Sequence, residues 1–357
     1  MKPTGASNWR ASAALLAAAA TLAACGGHPR QAVAPSPTAA PPSSTTPATP
    51  TTTPATTAPL TGLAEGGTAL LTQPAVVVKI DNIDAARPQT GVGQADIVYE
   101  EMVEGGLTRL AAVFQSHYPA SIGPIRSGRT TDAAIVDDLN HPVFAYAGAN
   151  ARFLAILRAQ PVTDVDIDND PGAFVRSDLA PAPHNLYSDV ANLAAMSTTH
   201  APPPPLFTYR DPGAPFGGAG VAPATAIAIN FPAASIGWAY DPSTGQWLRS
   251  QNGTADRSRA GTQFSAANVV VQFVPYTADG IADEPGLAPT VIPEGQLVGS
   301  GQAWVLSAGD IVKGTWSRQD LTTITSWTDS AGAPILLAPG RTWVELVPVG
   351  SVPSVTP

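Results

Sequence analysis

The chain has 357 residues, with 18 basic against 27 acidic side chains, a formal net charge of −9, 37 prolines and a single cysteine. Such an acidic chain lacks the basic surface that nucleic-acid binding needs, and one cysteine excludes an internal disulfide framework and a cysteine-based metal site. It has no zinc-ligand spacing, no Gly-x-Ser-x-Gly elbow and no phosphate-cradling glycine loop, so zinc sites, standard serine hydrolases and nucleotide enzymes are disfavoured and no cofactor is implied.

Residues 1–24 join a basic start (Lys2, Arg10) to an apolar, mostly alanine run that ends in Leu22-Ala23-Ala24-Cys25. Roughly 14 apolar residues fall short of the ~20 that span a bilayer. The segment resembles a bacterial lipoprotein signal, in which the cysteine is lipidated and becomes the new N-terminus. That resemblance implies an extracytoplasmic protein anchored to the cell membrane through Cys25, held stably if two or more acyl chains are attached. Cleavage removes Lys2 and Arg10 and no acid, leaving a formal net charge of −11 and no free thiol. Residues 25–61 are dominated by Pro, Thr, Ala and Ser without apolar periodicity and read as a disordered tether. Its reach is about 30 Å as a flexible coil and nearer 100 Å as polyproline II.

Residues 62–201 read as a mixed α/β domain. Folded sequence is expected to begin near Pro74, where Ala75 to Ile80 forms a buried strand ending at Asp81-Asn82. Ala95 to Glu104 and Leu107 to Ser116 follow as two strands joined by a two-residue turn at Gly105-Gly106. Strand parity places Val98, Glu100, Met102 and Glu104 on one face and Ile97, Tyr99 and Glu101 on the other. A helix is predicted from Thr131 to Leu139, with Thr130, Thr131 or Asp132 as its N-cap. A strand over Pro142 to Ala147 and helices over Ala151 to Gln160 and Ser188 to Met196 complete this half.

Residues 202–223 are rich in Pro and Gly and read as a linker. Residues 224–350 carry short β-branched and aromatic runs separated by turn signals and read as a mostly antiparallel all-β domain, a sandwich or small barrel. Predicted strands are 226–231, 237–240, 246–249, 268–274, 302–306, 310–317, 335–337 and 342–348, with hairpin loops at Asp241 to Gly245 and Ser307 to Gly309. Trp238, Trp247, Trp304, Trp316, Trp327 and Trp343 are either core or an exposed platform for sugar or peptide, and strand spacing favours the core. The whole is an α+β chain.

Polar residues of the first half gather at predicted strand ends and loops, where ligand chemistry is placed. Asp81 and Asn82 follow a strand, Arg87 lies in the next loop, Asp96 precedes a strand, and Glu100, Glu104 and Arg109 occupy the hairpin. Arg126, Ser127 and Arg129 lead into a helix and offer two guanidiniums, a hydroxyl and helix-start N–H groups to a phosphate or carboxylate. Equally, Arg126 and Arg129 are candidates for structural pairing with Asp81, Asp96, Glu100 or Glu104. His184, with Asn185 and Tyr187 beside it, is the candidate general acid or base, against the commoner structural role of a lone histidine. Asp164 to Asp170 alternates acids like a calcium loop, but Asn169 replaces the required glycine and Val175 the bidentate glutamate. An edge strand with Val165 and Ile167 inward accounts for the alternation, and no metal is expected.

These stretches together resemble the YerB-like lipoprotein family of bacteria, built from paired domains of unknown function. They are Lys79 to Asn82 with Ala86 to Gln89, Gln94 to Glu100, Glu104 to Arg109, Ile122 to Ser127 with Arg129, and Pro183 to Tyr187. In the second half Asn268 to Gln272, Gly314 to Trp316 and Pro339 to Trp343 match. One segment departs: Tyr146 to Asn150 stands where the resemblance places a histidine followed by alanine and two glycines, which weakens a catalytic reading. The resemblance implies fold and anchoring but no established activity.

Three functions stay open. The first is an envelope binding protein holding an anionic, glycan or peptide ligand with Arg109, Arg126 and Arg129. The second is a cell-wall hydrolase or transferase using Glu100, Glu104 and His184. Glu100 and Glu104 stand roughly 13 Å apart along a strand at ~3.3 Å per residue, beyond the ~5–10 Å of a glycosidase pair, so Asp81 or Asp96 has to supply the second carboxylate. The third is a structural or partner-binding role; the sequence does not fix the oligomeric state.

Overall fold

The computed structural model describes residues 56–65, 70, 72–282 and 290–357; the signal segment, Cys25 and the tether as far as residue 55 lie outside the described residues. In the first half, β1 (Val76–Asp81), β2 (Ile97–Met102) and β3 (Thr108–Phe114) are followed by α1 (Thr130–Asp137), β4 (Val143–Tyr146), α2 (Ala151–Leu157), β5 (Thr163–Asp166) and α3 (Val190–Ala194). The second half supplies β6 (Ala226–Phe231), β7 (Ala234–Asp241), β8 (Gln246–Gln251), β9 (Asn268–Val274), β10 (Tyr276–Ala282) and β11 (Thr290–Gly295). It ends with β12 (Gly299–Ser307), β13 (Asp310–Arg318) and β14 (Thr342–Pro348). The α+β reading holds, mixed in the first half and mostly antiparallel β in the second.

The halves join in one eleven-stranded sheet whose order is Ala222–Pro223, β13, β12, β9, β14, β2, β3, β1, β4, β5, with the short strand Ser326–Thr328 also pairing β13. At the seam β14 lies parallel to β9 on one side and to β2 on the other. Runs such as Val269-Val270-Val271 and Val76-Val77-Val78 are apolar without alternation because both faces of this sheet are covered. On one face Val78, Ile80, Val98, Leu110 and Val271 pack with Ile229, Ile236, Trp238 and Trp247 from a six-stranded sheet built around β6, β7 and β8. On the other, Val77, Ile97, Ala111, Val113 and Val344 meet Ile135 and Val136 of α1 and Phe153 of α2. Both cores therefore draw on both halves. The six tryptophans are all buried, so the exposed platform is absent.

Several local expectations are corrected. The β2–β3 connection is five residues, Val103 to Leu107, containing a 3-10 turn at Glu104–Gly106. Both Gly105 (φ 68°) and Gly106 (φ 74°) adopt left-handed backbone there, which glycine allows without steric cost. The N-cap of α1 is Arg129, whose N–H donates to Asp132 Oδ2 at 2.8 Å. Residues 335–337 form no strand; Ile335 and Leu337 are buried loop residues. Order reaches back into the expected tether: Ala58 and Leu60 are buried, and Tyr209 Oη donates to the Leu60 carbonyl at 2.6 Å. Tyr209 belongs to the expected linker, which is likewise tied down by buried Leu206, Phe207 and Phe216. Among the described residues no helix is long and apolar enough to cross a membrane.

Candidate functional site

The sheet ends its first-half strands in a charged cluster. In β1, the buried Asp81 sits opposite Arg109 of β3 in the antiparallel register. The 122–129 loop runs alongside β1 like an extra strand, with Asp81 N–H donating to the Pro124 carbonyl and Arg126 N–H to that of Lys79, both at 2.9 Å. The 183–188 segment pairs on the outer side of this loop, Ile125 N–H donating to Leu186 O at 2.7 Å. These ladders bring together Asp81, Arg109, Arg126 and His184, residues far apart along the chain.

His184 Nδ1 lies 2.7 Å from Asp81 Oδ2, and Arg126 Nε lies 3.4 Å from the same oxygen. Arg129 Nη2 pairs with Glu104 Oε1 at 2.6 Å, and Arg109 Nη1 donates to the Ser127 carbonyl at 3.0 Å. Three guanidiniums thus converge on Asp81 and Glu104, with Asp132, whose Oδ2 accepts from the Arg129 N–H at 2.8 Å, next to them. Burial and the neighbouring Arg129 and Arg126 push the Arg109 guanidinium down to about 10, against the opposing pull of Glu104 and Asp81. Burial works to raise Glu104, but Arg129 and Arg109 outweigh it and hold that carboxyl below its ordinary value. Arg126 is the most open of the three, its side chain 27% exposed. Arg129 Nε is buried and finds no hydrogen-bond partner among the described residues. The pairing expected as an alternative to anion binding is present for Arg126 with Asp81 and Arg129 with Glu104, while Arg109 bonds a backbone carbonyl.

The remaining candidates lie apart from this cluster. Glu100 is wholly buried between the two sheets, where Oε1 accepts from Asn82 Nδ2 at 3.0 Å and Thr108 Oγ1 at 2.7 Å, and Oε2 from Arg249 Nη2 at 2.7 Å. Glu100 and Glu104 are therefore not a facing pair. Asn82 serves the same internal network, receiving Gln89 Nε2 at 2.9 Å. Arg87 binds Asp256 Oδ1 through Nη2 at 2.8 Å, which ties the first half to the second. Asp96 is buried and accepts from the Gln115 N–H at 2.6 Å and the Ser116 N–H at 2.8 Å. Burial raises its carboxyl above the ordinary range in spite of these bonds. Asn185 bridges Arg176 and the Ser177 carbonyl. Tyr187 is buried with its hydroxyl unpartnered among the described residues. The acidic 164–170 segment opens as edge strand β5 with Val165 buried, as read from its alternation. Asp164 accepts from Tyr146 Oη at 2.7 Å and Asp166 from Gly148 N–H at 2.8 Å. No cluster able to hold a metal occurs among the described residues.

The segment that departs from the family pattern lies beside the arginine loop: Ala147 N–H donates to Arg126 O at 3.0 Å and Gly128 N–H to Gly148 O at 3.1 Å.

Two buried charge networks lie outside the sequence-based expectations. Lys79 in β1 contacts both Glu101 and Asp132, all three fully buried. Burial, reinforced by the nearby Asp132, pushes the Glu101 carboxyl up to about 7 against the pull of Lys79. Arg249 contacts Glu100 and Asp256 and stacks 4.9 Å over the Trp343 ring. Close by, Glu345 accepts from Trp238 Nε1 at 2.8 Å, and its carboxyl is raised well above the ordinary range by burial and by Glu100. For Lys79 in AVVVKI and Glu345 in TWVELVP the signal was a lone charge inside an apolar run, whereas Arg249 in the alternating QWLRSQ shares the buried parity of Trp247.

Residues 60–202 match the family described as "Protein of unknown function (DUF3048) N-terminal domain", and residues 227–344 match its C-terminal domain. A curated relative from Bacillus subtilis (strain 168), named "Putative lipoprotein YerB", is 28% identical over 302 residues, covering 82% of this chain and 86% of its own. The crystal structure of YerB protein from Bacillus subtilis shares the fold with a TM-score of 0.72 at 22% identity, over 85% of this chain and 100% of that one.

Proposed function

The chain belongs to the YerB-like family of paired DUF3048 domains, and from that premise we propose that it is a lipid-anchored envelope protein, fixed through Cys25 to the outer face of the cell membrane. There it binds a phosphate- or carboxylate-bearing ligand at Arg109, Arg126 and Arg129. The observation that carries the binding reading is the convergence of three guanidiniums at a strand end open to solvent through Arg126, with Arg109 paired to no carboxylate among the described residues. A bound anion relieves the mutual repulsion of the arginines, and a guanidinium offers it paired N–H donors in a fixed fork. Asp81 holds Arg126 and His184 in place from beneath, and Glu104 does so for Arg129.

The test is calorimetric titration of the purified full-length chain with pyrophosphate, on wild type and Arg126→Gln. Loss of one charge-assisted bond is expected to weaken binding about tenfold or more, at an unchanged unfolding midpoint. Undiminished binding, or a variant that unfolds, removes the reading.

The His184–Asp81 contact favours a second reading, in which a carboxylate-oriented histidine moves a proton on the bound ligand. Mass analysis of the ligand after incubation separates the two: a changed mass that disappears in His184→Ala establishes catalysis, and an unchanged mass leaves binding alone.

A further inference from the structure

A second recess, sharing no residue with the arginine cluster, lies where the 90–94 loop of the first half meets the 258–265 loop of the second. Its free volume is about 290 Å³, with Gly91, Gly93 and Phe264 among its lining and Arg259 and Arg341 exposed on it. Among the described residues Arg87, Arg126, Arg129, Arg152, Arg158, Arg249 and Arg318 each pair with a carboxylate. Arg259 and Arg341 do not. Among the described residues neither side chain has a hydrogen-bond or ion-pair partner, and Asp96 feels Arg341 only as a more distant charge. Two unpaired guanidiniums on one concave surface make a local positive field in a protein that is negative overall, and a concave site focuses that field.

The recess is built rather than accidental. Arg259 N–H donates to the Gln89 carbonyl at 2.8 Å, and the Arg87–Asp256 ion pair clamps the same two loops. Gly91 takes left-handed backbone (φ 80°), and a Cβ there would stand 2.4 Å from the Ser121 carbonyl. Ser258 N–H bonds the Thr262 carbonyl at 2.8 Å, closing the 258–262 turn that carries Arg259. The Arg341 carbonyl accepts from the Ala267 N–H at 3.0 Å, so the backbone at both arginines is held before any ligand arrives, which lowers the ordering cost of binding.

We propose that this recess is a binding site for an acidic sugar, one ring carrying a phosphate or carboxylate. The volume lies at the small end of ligand pockets, about 300 Å³ upward. Arg259 and Arg341 take the anionic group, and the Ser258 and Thr262 hydroxyls line the recess with Gln94 and Gln263, whose Nε2 and Oε1 respectively are left for ring hydroxyls while their other amide atoms bond His117 and the Arg249 carbonyl.

The experiment is isothermal titration of the full-length chain with N-acetylmuramic acid, N-acetylglucosamine 1-phosphate, neutral N-acetylglucosamine and inorganic phosphate. Both acidic sugars are expected to bind, at least tenfold more tightly than the neutral sugar or inorganic phosphate. Arg259→Gln and Arg341→Gln, exposed positions that leave the unfolding midpoint in place, are each expected to weaken binding about tenfold. Arg126→Gln is expected to leave it unchanged, so that failure here is distinguishable from failure of the arginine-cluster reading. Equal binding of neutral sugar would overturn the anion assignment, and equal binding of inorganic phosphate would overturn the ring-sized class. Loss in Arg126→Gln with retention in Arg259→Gln and Arg341→Gln, or no heat at millimolar acidic sugar, overturns the site.

Discussion

Replacing Arg249 with methionine tests what holds the two sheets together. The guanidinium is wholly buried; Nη2 reaches Glu100 Oε2 at 2.7 Å and Gln251 Oε1 at 3.0 Å, Nη1 contacts Asp256, and the group stacks over Trp343. Methionine keeps an apolar stem over the first part of the arginine side chain but lacks the guanidinium over Trp343, so a small packing loss adds to the larger electrostatic one. Asp256 keeps Arg87 as a partner at 2.8 Å, but Glu100 keeps only the neutral donors of Asn82 and Thr108. Stranding one member of a buried pair costs about 3–5 kcal/mol, a large share of a total stability of about 5–15 kcal/mol. At about 2.1 cal/mol/K per residue over a unit of roughly 300 residues, 1 kcal/mol is about 1.6 °C, so the midpoint should fall by roughly 5–8 °C. Urea unfolding followed by tryptophan fluorescence measures this directly, since Trp238 and Trp343 lie at the cluster. The double variant Arg249→Met with Glu100→Gln should recover about half of the loss, because glutamine removes the stranded charge. A single-variant cost below about 1 kcal/mol, or a double variant no better than the single, would refute the reasoning.

The Asp138 carboxyl is pushed up to about 7 by burial and by Asp137, against the pull of Arg318. Its folded pKa exceeds its unfolded value of 3.8, so the folded state binds the extra proton between the two. This contribution is fully present below the unfolded value and is lost as pH rises through about 7; urea midpoints of Asp138→Asn should decline less from pH 5 to pH 8 than those of wild type, and parallel declines would disprove the linkage. The Glu345 carboxyl is raised well above its ordinary range by burial and by Glu100, which favours the neutral form in the folded state. Glu345→Gln should therefore cost less than about 1 kcal/mol in equilibrium unfolding, and a loss of several kcal/mol would mean that it is charged.

Much of the architecture was legible because strand-forming runs, alternating in 226–231 and mostly apolar or β-branched in 268–274 and 342–348, and turn chemistry act locally. The strands 226–231, 268–274 and 342–348 match β6, β9 and β14 residue for residue, and Ala308-Gly309 forms the expected hairpin tip with φ of 54° and 83°. Local pattern says nothing about which strands pair over long distances, so the seam of β14 with β2 was invisible. The same limit applies to the site. Asp81, Arg126 and His184 each stand out by residue type, but their convergence depends on the 122–129 loop lying beside β1. For Glu100, strand parity gives the face without saying that a second sheet covers it; Arg249, its partner, lies 149 positions away.

That seam bears on whether the halves are separable. β2 is paired through five residues to β14, Thr342 with Ile97 through Leu346 with Glu101. Without the second half β2 becomes an edge strand, with apolar faces at Val98 and Ile97 and unpaired backbone groups open to other chains. The loss reaches further than the edge. Glu100 loses Arg249, Arg87 loses Asp256, and Met102 N–H loses its bond to Tyr276 Oη at 3.1 Å. The face carrying Val98, Leu110 and Ala112 loses the β6–β8 sheet. At about 25 cal/mol per Å² of exposed apolar surface, uncovering several aliphatic side chains exceeds what a marginally stable half can absorb. A fragment comprising residues 62–201 alone is therefore expected to aggregate or to show no cooperative unfolding transition, whereas the chain from Thr56 onward unfolds in one. Cooperative unfolding of the isolated half, measured by circular dichroism in urea, would mean that the seam is an interface between two self-sufficient domains and not part of a common core.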